Sequence, residues 1–265
     1  MKEYKIGEVA KLLGLTTQAL RFYEQEGVIN PRKSENGTRM YSVNQMVLLL
    51  SFKKYRQAEF TVQDIVEHFR DDTVDSLISR LETQSSLLVD KANLLLRRAE
   101  ATRRFEQVLR LAQENFDRII PCERPSLYQL NLSLEQLDQA DAAQRASLSA
   151  FIDAMPDTGI VFSRRADKSS TPQFRFCANE EMARIWSLPL EHAQLLPPVK
   201  SVCLYVRCDG YPWDDQPLAD ILSRVRAAGY EIDPAQDIFG MHLASETIDK
   251  SVHLCGIVYV PVKQH

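Results

Sequence analysis

From Asp75 to Phe116 the chain runs for 42 residues without a proline or a glycine. These two residue types are the strongest punctuators of local structure, so so long a stretch without either predicts a single continuous helix. Within it Ile78, Leu81, Ser85, Leu88, Ala92, Leu95 and Ala99 fall at alternating steps of three and four, a repeat of about 3.5 residues kept over three heptads. Phe105, Leu109, Ala112 and Phe116 carry an apolar stripe onward after a small phase shift. A helix of about 40 residues spans about 60 Å, too long and too narrowly apolar to lie along a small domain. The pattern predicts a two-chain coiled coil, parallel or antiparallel, and hence a homodimer. One long helix of an ordinary bundle is the alternative.

The rod divides the 265 residues into an amino-terminal domain over 1–75, a dimerisation helix over 76–119 and a carboxy-terminal domain over 120–265. With 26% charged and 45% hydrophobic residues, disordered and fibrous classes are excluded. No run of about 18 apolar residues occurs, and the opening "MKEYKIGEVA" has no apolar export segment. A cytoplasmic, nucleoid-associated protein without a membrane partner is expected. The five cysteines (Cys122, Cys177, Cys203, Cys208, Cys255) make an odd count without a CxxC pair, which suits reduced structural thiols. Neither a cofactor nor a metal is expected.

Net charge is −4, unpromising for a nucleic-acid protein, but its distribution is uneven. Up to Arg56 there are ten Lys or Arg against five Glu, an excess of five that leaves −9 for the remainder. A basic head of this kind suits a polyanion.

Local signals place the head's elements. "IGEVAKLLG" puts Ile6, Val9, Ala10 and Leu13 on one helical face, and Gly14 ends that helix. Thr16 or Thr17 caps a second helix that closes at Gly27. Two short helices joined by a three-residue turn form a helix-turn-helix pattern. "ENGTRMYS" carries the Asn36–Gly37 hairpin signal and predicts a two-stranded wing. Ser42 with Gln45, and Thr61 with Asp64 plus a Phe60–Ile65 staple, open two further helices.

Beyond the rod, "IIPCERPS" breaks the helix with Pro121 and Pro125. A strand-helix-strand-strand order then appears twice about 75 residues apart, from "LYQLNL" through "QFRFCAN" and from "SVCLYVR" through "SVHLCGIVYVPV". The last strand sets Val252, Leu254, Gly256, Val258 and Val260 against His253, Cys255, Ile257 and Tyr259, so its second face is expected to line something. The fold class is α+β and multidomain: a winged helix-turn-helix, a long dimerising helix and a duplicated β-α-β-β domain.

"IGEVAKLLGLTTQALRFYEQEGVI" followed by "NGTRMYS" resembles the MerR family of transcription regulators over about the first 75 residues, and the long helix falls where that family places its dimerising coiled coil. The resemblance implies an activator that binds double-stranded promoter DNA and, on effector binding, bends and untwists it so that RNA polymerase meets both promoter elements in phase. Thr17, Gln18 and Arg21 then lie at the exposed start of the recognition helix, where Arg21 either reads a guanine edge or clamps a phosphate. The family pattern gives the Tyr23 hydroxyl to a phosphate, leaves Phe22 to packing, and makes Arg39 and Tyr41 of the wing phosphate and minor-groove contacts. Lys53, Lys54 and Arg56 are either a solvated helix face or further backbone contacts.

The duplicated domain, with "GYPW" and the closing "VYVPVK", resembles the GyrI-like effector domain of multidrug-sensing MerR regulators. In that domain a pocket lined by aromatic rings, often with buried carboxylates, selects lipophilic cations. By position, Tyr259 and Tyr211 or Trp213 are the leading lining residues, with Trp186 and Tyr128 behind them; each is otherwise a core residue. Where drug-sensing members often carry an acid two positions before the closing aromatic residue, this chain has Ile257. Either Glu246 supplies the charge, joined by Asp209, Asp214 or Asp215 at the mouth, or the effector is neutral and aromatic. Metal-sensing members carry cysteines at both ends of the coiled coil, whereas here none precedes Cys122. Cys122 beside Arg124 keeps a thiol-responsive regulator in view, alongside a partner-responsive one or an architectural DNA protein without an effector. No catalytic constellation can be assembled, so no enzyme is expected.

Overall fold

A computed structural model describes residues 2–71, 73–167, 170–248 and 250–263. The chain forms two compact units, 1–95 and 96–265, whose boundary falls inside the long helix.

In the first unit the local signals set the elements. Strand β1 (Glu3–Lys5) leads into α1 (Ile6–Leu13), which stops at Gly14 with φ 61°. Helix α2 (Thr17–Gln25) starts where the Thr16 hydroxyl accepts the Ala19 N–H at 3.0 Å. Strands β2 (Arg32–Lys33) and β3 (Arg39–Ser42) make the hairpin, with Gly37 at φ 76° in its turn. The expected two-stranded wing has a third member, because β1 pairs antiparallel with β3 in the order β1-β3-β2. Three residues were too short a stretch to read as a strand. Helix α3 (Val43–Gln57) opens on the reciprocal Ser42–Gln45 capping box, and α4 (Val62–Asp71) on the Thr61–Asp64 pair. Val9, Leu20, Tyr41, Leu49, Phe52 and Ile65 form the core at 1% exposure or less.

Helix α5 (Val74–Asn115) is continuous over 42 residues. Val74, Ile78, Leu81 and Leu95 stand 40–73% exposed, and Leu87, Val89, Leu94 and Leu96 are exposed beside them. In the second unit α5 buries Ala101 and Ala112.

The second unit is built on eight antiparallel strands in the order β4-β9-β11-β10-β6-β7-β5-β8. These are β4 (Ile119–Arg124), β5 (Leu127–Ser133), β6 (Gly159–Arg165), β7 (Gln173–Asn179), β8 (Ala193–Leu196), β9 (Val199–Cys208), β10 (Asp237–Ile248) and β11 (Ser251–Pro261), with helices α6 (Ala142–Asp153), α7 (Glu180–Ile185) and α8 (Asp215–Ala227) between them. Sequence reasoning expected "IIPCERPS" only to break the rod; instead it forms β4. Pro121 is tolerated because β4 is an edge strand, where a missing N–H costs no ladder bond.

Side chains alternate across this sheet, with register shifts at His242–Ala244 of β10 and between Gln129 and Ser133 of β5. Val202, Leu204, Val206, Phe162, Ile238, Val258 and Val260 point to one face, where α8 covers them with Leu218, Ile221, Leu222 and Val225. Tyr205, Met241, Ile257 and Tyr259 point to the other, against Val108, Leu109, Ala112 and Phe116 from the end of α5. Gly240 lets the Phe162 ring lie against the backbone: a Cβ there would stand 2.2 Å from Phe162 Cε1 and 2.9 Å from the Ile257 carbonyl. Gly240→Ala is therefore expected to destabilise this unit by about 1–3 kcal/mol through overpacking, seen as a lower urea midpoint by tryptophan fluorescence.

Candidate functional site

The recognition helix divides cleanly. Leu20 and Tyr23 are buried, whereas Thr17, Gln18, Arg21 and Phe22 are exposed on the outer side. Three of the expected DNA contacts, Thr17, Gln18 and Arg21, thus share a solvent face at the capped end of α2. The two neighbouring aromatics are buried in the reverse of the expected order. Phe22 is 41% exposed, while the Tyr23 ring packs 4.9 Å from that of Phe52, and burial raises its hydroxyl pKa. Position on the helix decides this, since Tyr23 follows Leu20 by three residues onto the core side.

On the wing, Arg39 is ion-paired with Glu24 of α2. Tyr41 corrects the sequence reading: its ring is fully buried and its hydroxyl has no hydrogen-bond partner among the described residues, so it sits in the core and not at a groove. β3 lies between β1 and β2, and the Tyr41 side of it faces the helices. Lys53 Nζ donates to the Leu13 carbonyl at the end of α1 at 2.7 Å, and the exposed Arg56 donates through Nη1 to the Phe60 carbonyl between α3 and α4. Lys54 lies over the Tyr55 ring.

In the second unit the six expected effector residues do not meet in one site. Trp213 packs against Phe162 and Phe174 on the α8 side, with the exposed Tyr211 stacked on it at 4.5 Å. Tyr128 and Trp186 join the core around Phe151 and Phe176, and the Trp186 indole donates to Asp157 Oδ2 at 2.8 Å. Asp157 also holds Arg104 of α5, which fixes the helix to this half of the sheet. Tyr259 and Glu246 lie on the opposite face, at different ends of the β10–β11 hairpin. Glu246 is ion-paired with Arg207 and accepts from the Cys255 thiol at 3.5 Å, roughly 20 Å along the hairpin from Tyr259. Asp209 meets His253 at 2.7 Å, Asp214 accepts the Tyr211 N–H, and Asp215 meets Arg164 at 2.8 Å. The expected carboxylates are therefore engaged elsewhere.

What surrounds Tyr259 is different. Arg124 lies 3% exposed with its guanidinium 4.7 Å from the Phe239 ring centre, and Phe239 is the direct cross-strand neighbour of Tyr259. Gln129 and Cys177 pair across β5 and β7 on the same face, with the Gln129 Nε2 buried against the Cys177 thiol and without an oxygen acceptor among the described residues. Burial pushes the Cys177 thiol up to about 12, raises Tyr259 and lowers Arg124. Sequence reasoning missed Arg124 as anything but a neighbour of Cys122. Cys122 and Cys203 face each other across β4 and β9, and their interaction raises the Cys122 thiol and lowers that of Cys203, so of the two Cys122 holds its proton more firmly. An open cleft of about 570 Å³ lies elsewhere, beside Tyr230, Glu231 and Lys263, and none of the expected residues lines it. Among the described residues no three His, Cys, Asp or Glu side chains converge as metal ligands, and no helix is long and apolar enough to cross a membrane.

Residues 4–72 match the MerR HTH family regulatory protein model. Over 60 residues the chain is 40% identical to the HTH-type transcriptional regulator CueR of Escherichia coli O157:H7, covering 22% of this chain and 44% of that protein. Over 112 residues it is 29% identical to the mercuric resistance operon regulatory protein of Bacillus cereus, 40% of this chain and 80% of that one. The chain thus spans less than half the length of the first curated relatives it matches. Among solved structures, EcmrR in its DNA complex aligns over 99% of this chain and 100% of that one at 16% identity, with a TM-score of 0.35, too low to carry an argument. Homology therefore identifies a MerR-type head and leaves the second unit to be read from its own residues.

The burial of Tyr41 has a direct consequence. Tyr41→Phe removes an unpaired hydroxyl without changing packing and is expected to stabilise the first unit by about 1 kcal/mol, with DNA affinity unchanged. A tenfold loss of affinity for duplex DNA would return that hydroxyl to the interface.

Proposed function

We propose that the protein is a homodimeric, ligand-responsive transcription regulator that binds double-stranded promoter DNA through the MerR-type head and responds to a small lipophilic or aromatic effector. The observation that carries this reading is the outward row Thr17, Gln18 and Arg21 on a capped helix, beside a wing bearing Arg39, within the segment that matches the family. Such a helix enters the major groove by its first turns while the wing steadies the backbone. Dimerisation is supported by the exposed Val74, Ile78, Leu81 and Leu95 of α5, apolar surface that water alone does not stabilise. The effector is placed on the sheet face that carries Phe239 and Tyr259, half-buried rings beside a polar cluster, in the manner of a small-molecule site. By the family's mechanism an occupied sheet would change how the paired heads twist the promoter presented to RNA polymerase. The setting is cytoplasmic, and the protein acts without catalysis.

Arg21→Ala is expected to cost about 1–3 kcal/mol of binding to a preferred duplex, and Arg39→Ala to weaken binding to all duplexes and reduce the salt slope by about one. Fluorescence anisotropy across a salt series measures both, and unchanged affinity in both variants would remove the head from DNA. Leu81→Glu with Leu95→Glu keeps the helix but charges its apolar stripe. Loss of dimers in sedimentation together with loss of duplex affinity is expected, and full affinity in a monomer would contradict the paired-head arrangement.

A further inference from the structure

The effector reading leaves open which charge the ligand bears, and the second face of the sheet answers it. Arg124 is the buried charge there, and among the described residues no carboxylate pairs with it. Two of its five N–H donors are spent, on the Pro125 carbonyl at 2.8 Å and the Pro197 carbonyl at 2.6 Å. The guanidinium carbon lies 4.7 Å from the Phe239 ring centre, and Tyr259 is the cross-strand partner of that ring. Gln129 adds a second donor, its Nε2 buried against the Cys177 thiol with no oxygen acceptor among the described residues. Glu123, the nearest acid in sequence, points to the opposite side of β4 by strand alternation and is exposed. The acids that might have served a cation are paired with Arg207, His253 and Arg164. A buried guanidinium without a counter-charge is costly on its own, and an incoming anion relieves that cost. A buried amide donor that faces only a thiol likewise gains from an oxygen acceptor and nothing from a cation.

We propose that this face binds an aromatic or lipophilic anion, a carboxylate or a ligand with an equivalent acidic oxygen pair, whose ring lies against Phe239 and Tyr259 while its oxygens accept from Arg124 and Gln129. This rests on the effector reading and inverts the cation selectivity that the family resemblance implied. Planar pairing of a guanidinium with a carboxylate supplies orientation as well as attraction, so the acidic group is held at the Arg124 end and the ring extends along the strands.

Three probes with one ring and different charge test it by isothermal titration calorimetry on the full chain: the naphthoate anion, neutral naphthylmethanol and the naphthylmethyl-trimethylammonium cation. Naphthoate is expected to bind at least about tenfold more tightly than either of the others, a difference of about 1.4 kcal/mol. Arg124→Gln should abolish that preference. Because Arg124 also ties two chain crossings, Gln129→Leu serves as the second variant; it removes the amide while leaving the Arg124 contacts in place, and should weaken naphthoate severalfold while leaving naphthylmethanol unchanged. Tighter binding of the cation, or equal affinity of all three probes, would overturn the anion proposal while the effector site stood. Binding of none of them would overturn the effector reading and the proposal with it.

Discussion

Alternation along the central strands governs the second unit. Because successive side chains on β9, β11, β10 and β6 must point to opposite sides, each strand commits half its residues to α8 and half to the other face. The α8 face takes Val202, Leu204, Val206, Val258 and Val260, all at 1% exposure or less, and Gly240 admits the Phe162 ring there. The other face inherits whatever remains: Tyr205, Phe239, Ile257, Tyr259, Gln129 and Cys177, with Arg124 turned under it from the edge strand. One face is a closed apolar core. The second is aromatic and polar, with α5 across one part of it, and its chemistry is the chemistry available to a ligand.

In the first unit the corresponding constraint is the use of cations within the fold. Arg32 pairs with Glu3, Arg39 with Glu24, and Lys53 and Arg56 donate to the Leu13 and Phe60 carbonyls. The exposed Arg32 pair is weak, so Arg32 can exchange carboxylate for phosphate at little cost, whereas the Arg39–Glu24 pair is half-buried. Lys53, which spans 40 residues to reach the end of α1, is structural. The excess of positive charge read from composition is thus smaller at the outer surface than the count alone implies, while Arg21 on α2 stands exposed.

The elements of the head were legible because they are fixed by neighbours in sequence. Gly14, Gly27, Thr16, the Ser42–Gln45 box and the Thr61–Asp64 pair act within a few residues, and each lies where its chemistry predicts. The strand-helix-strand-strand order after the rod was legible for the same reason. Strand β4 was not, since Pro121 reads as a breaker until the strand's edge position is known, and β1 acquires its identity only by pairing with β3. The sites were harder. Which of Phe22 and Tyr23 faces water is settled by packing on Phe52, and which aromatics share a sheet face depends on a register that no local signal sets. Trp213 and Tyr259 are equally plausible in sequence and lie on opposite faces. Arg124 gave no signal at all, because a guanidinium becomes informative only when its missing partner can be seen.

The central claim is that paired heads of this chain read duplex DNA. Selection from a library of random duplexes with the purified full-length protein, followed by sequencing of the retained pool, tests it most directly. The account predicts enrichment of a two-fold symmetric site with two half-sites at fixed spacing. Retention of duplexes without any enriched sequence, or enrichment of a single unpaired half-site, would contradict it.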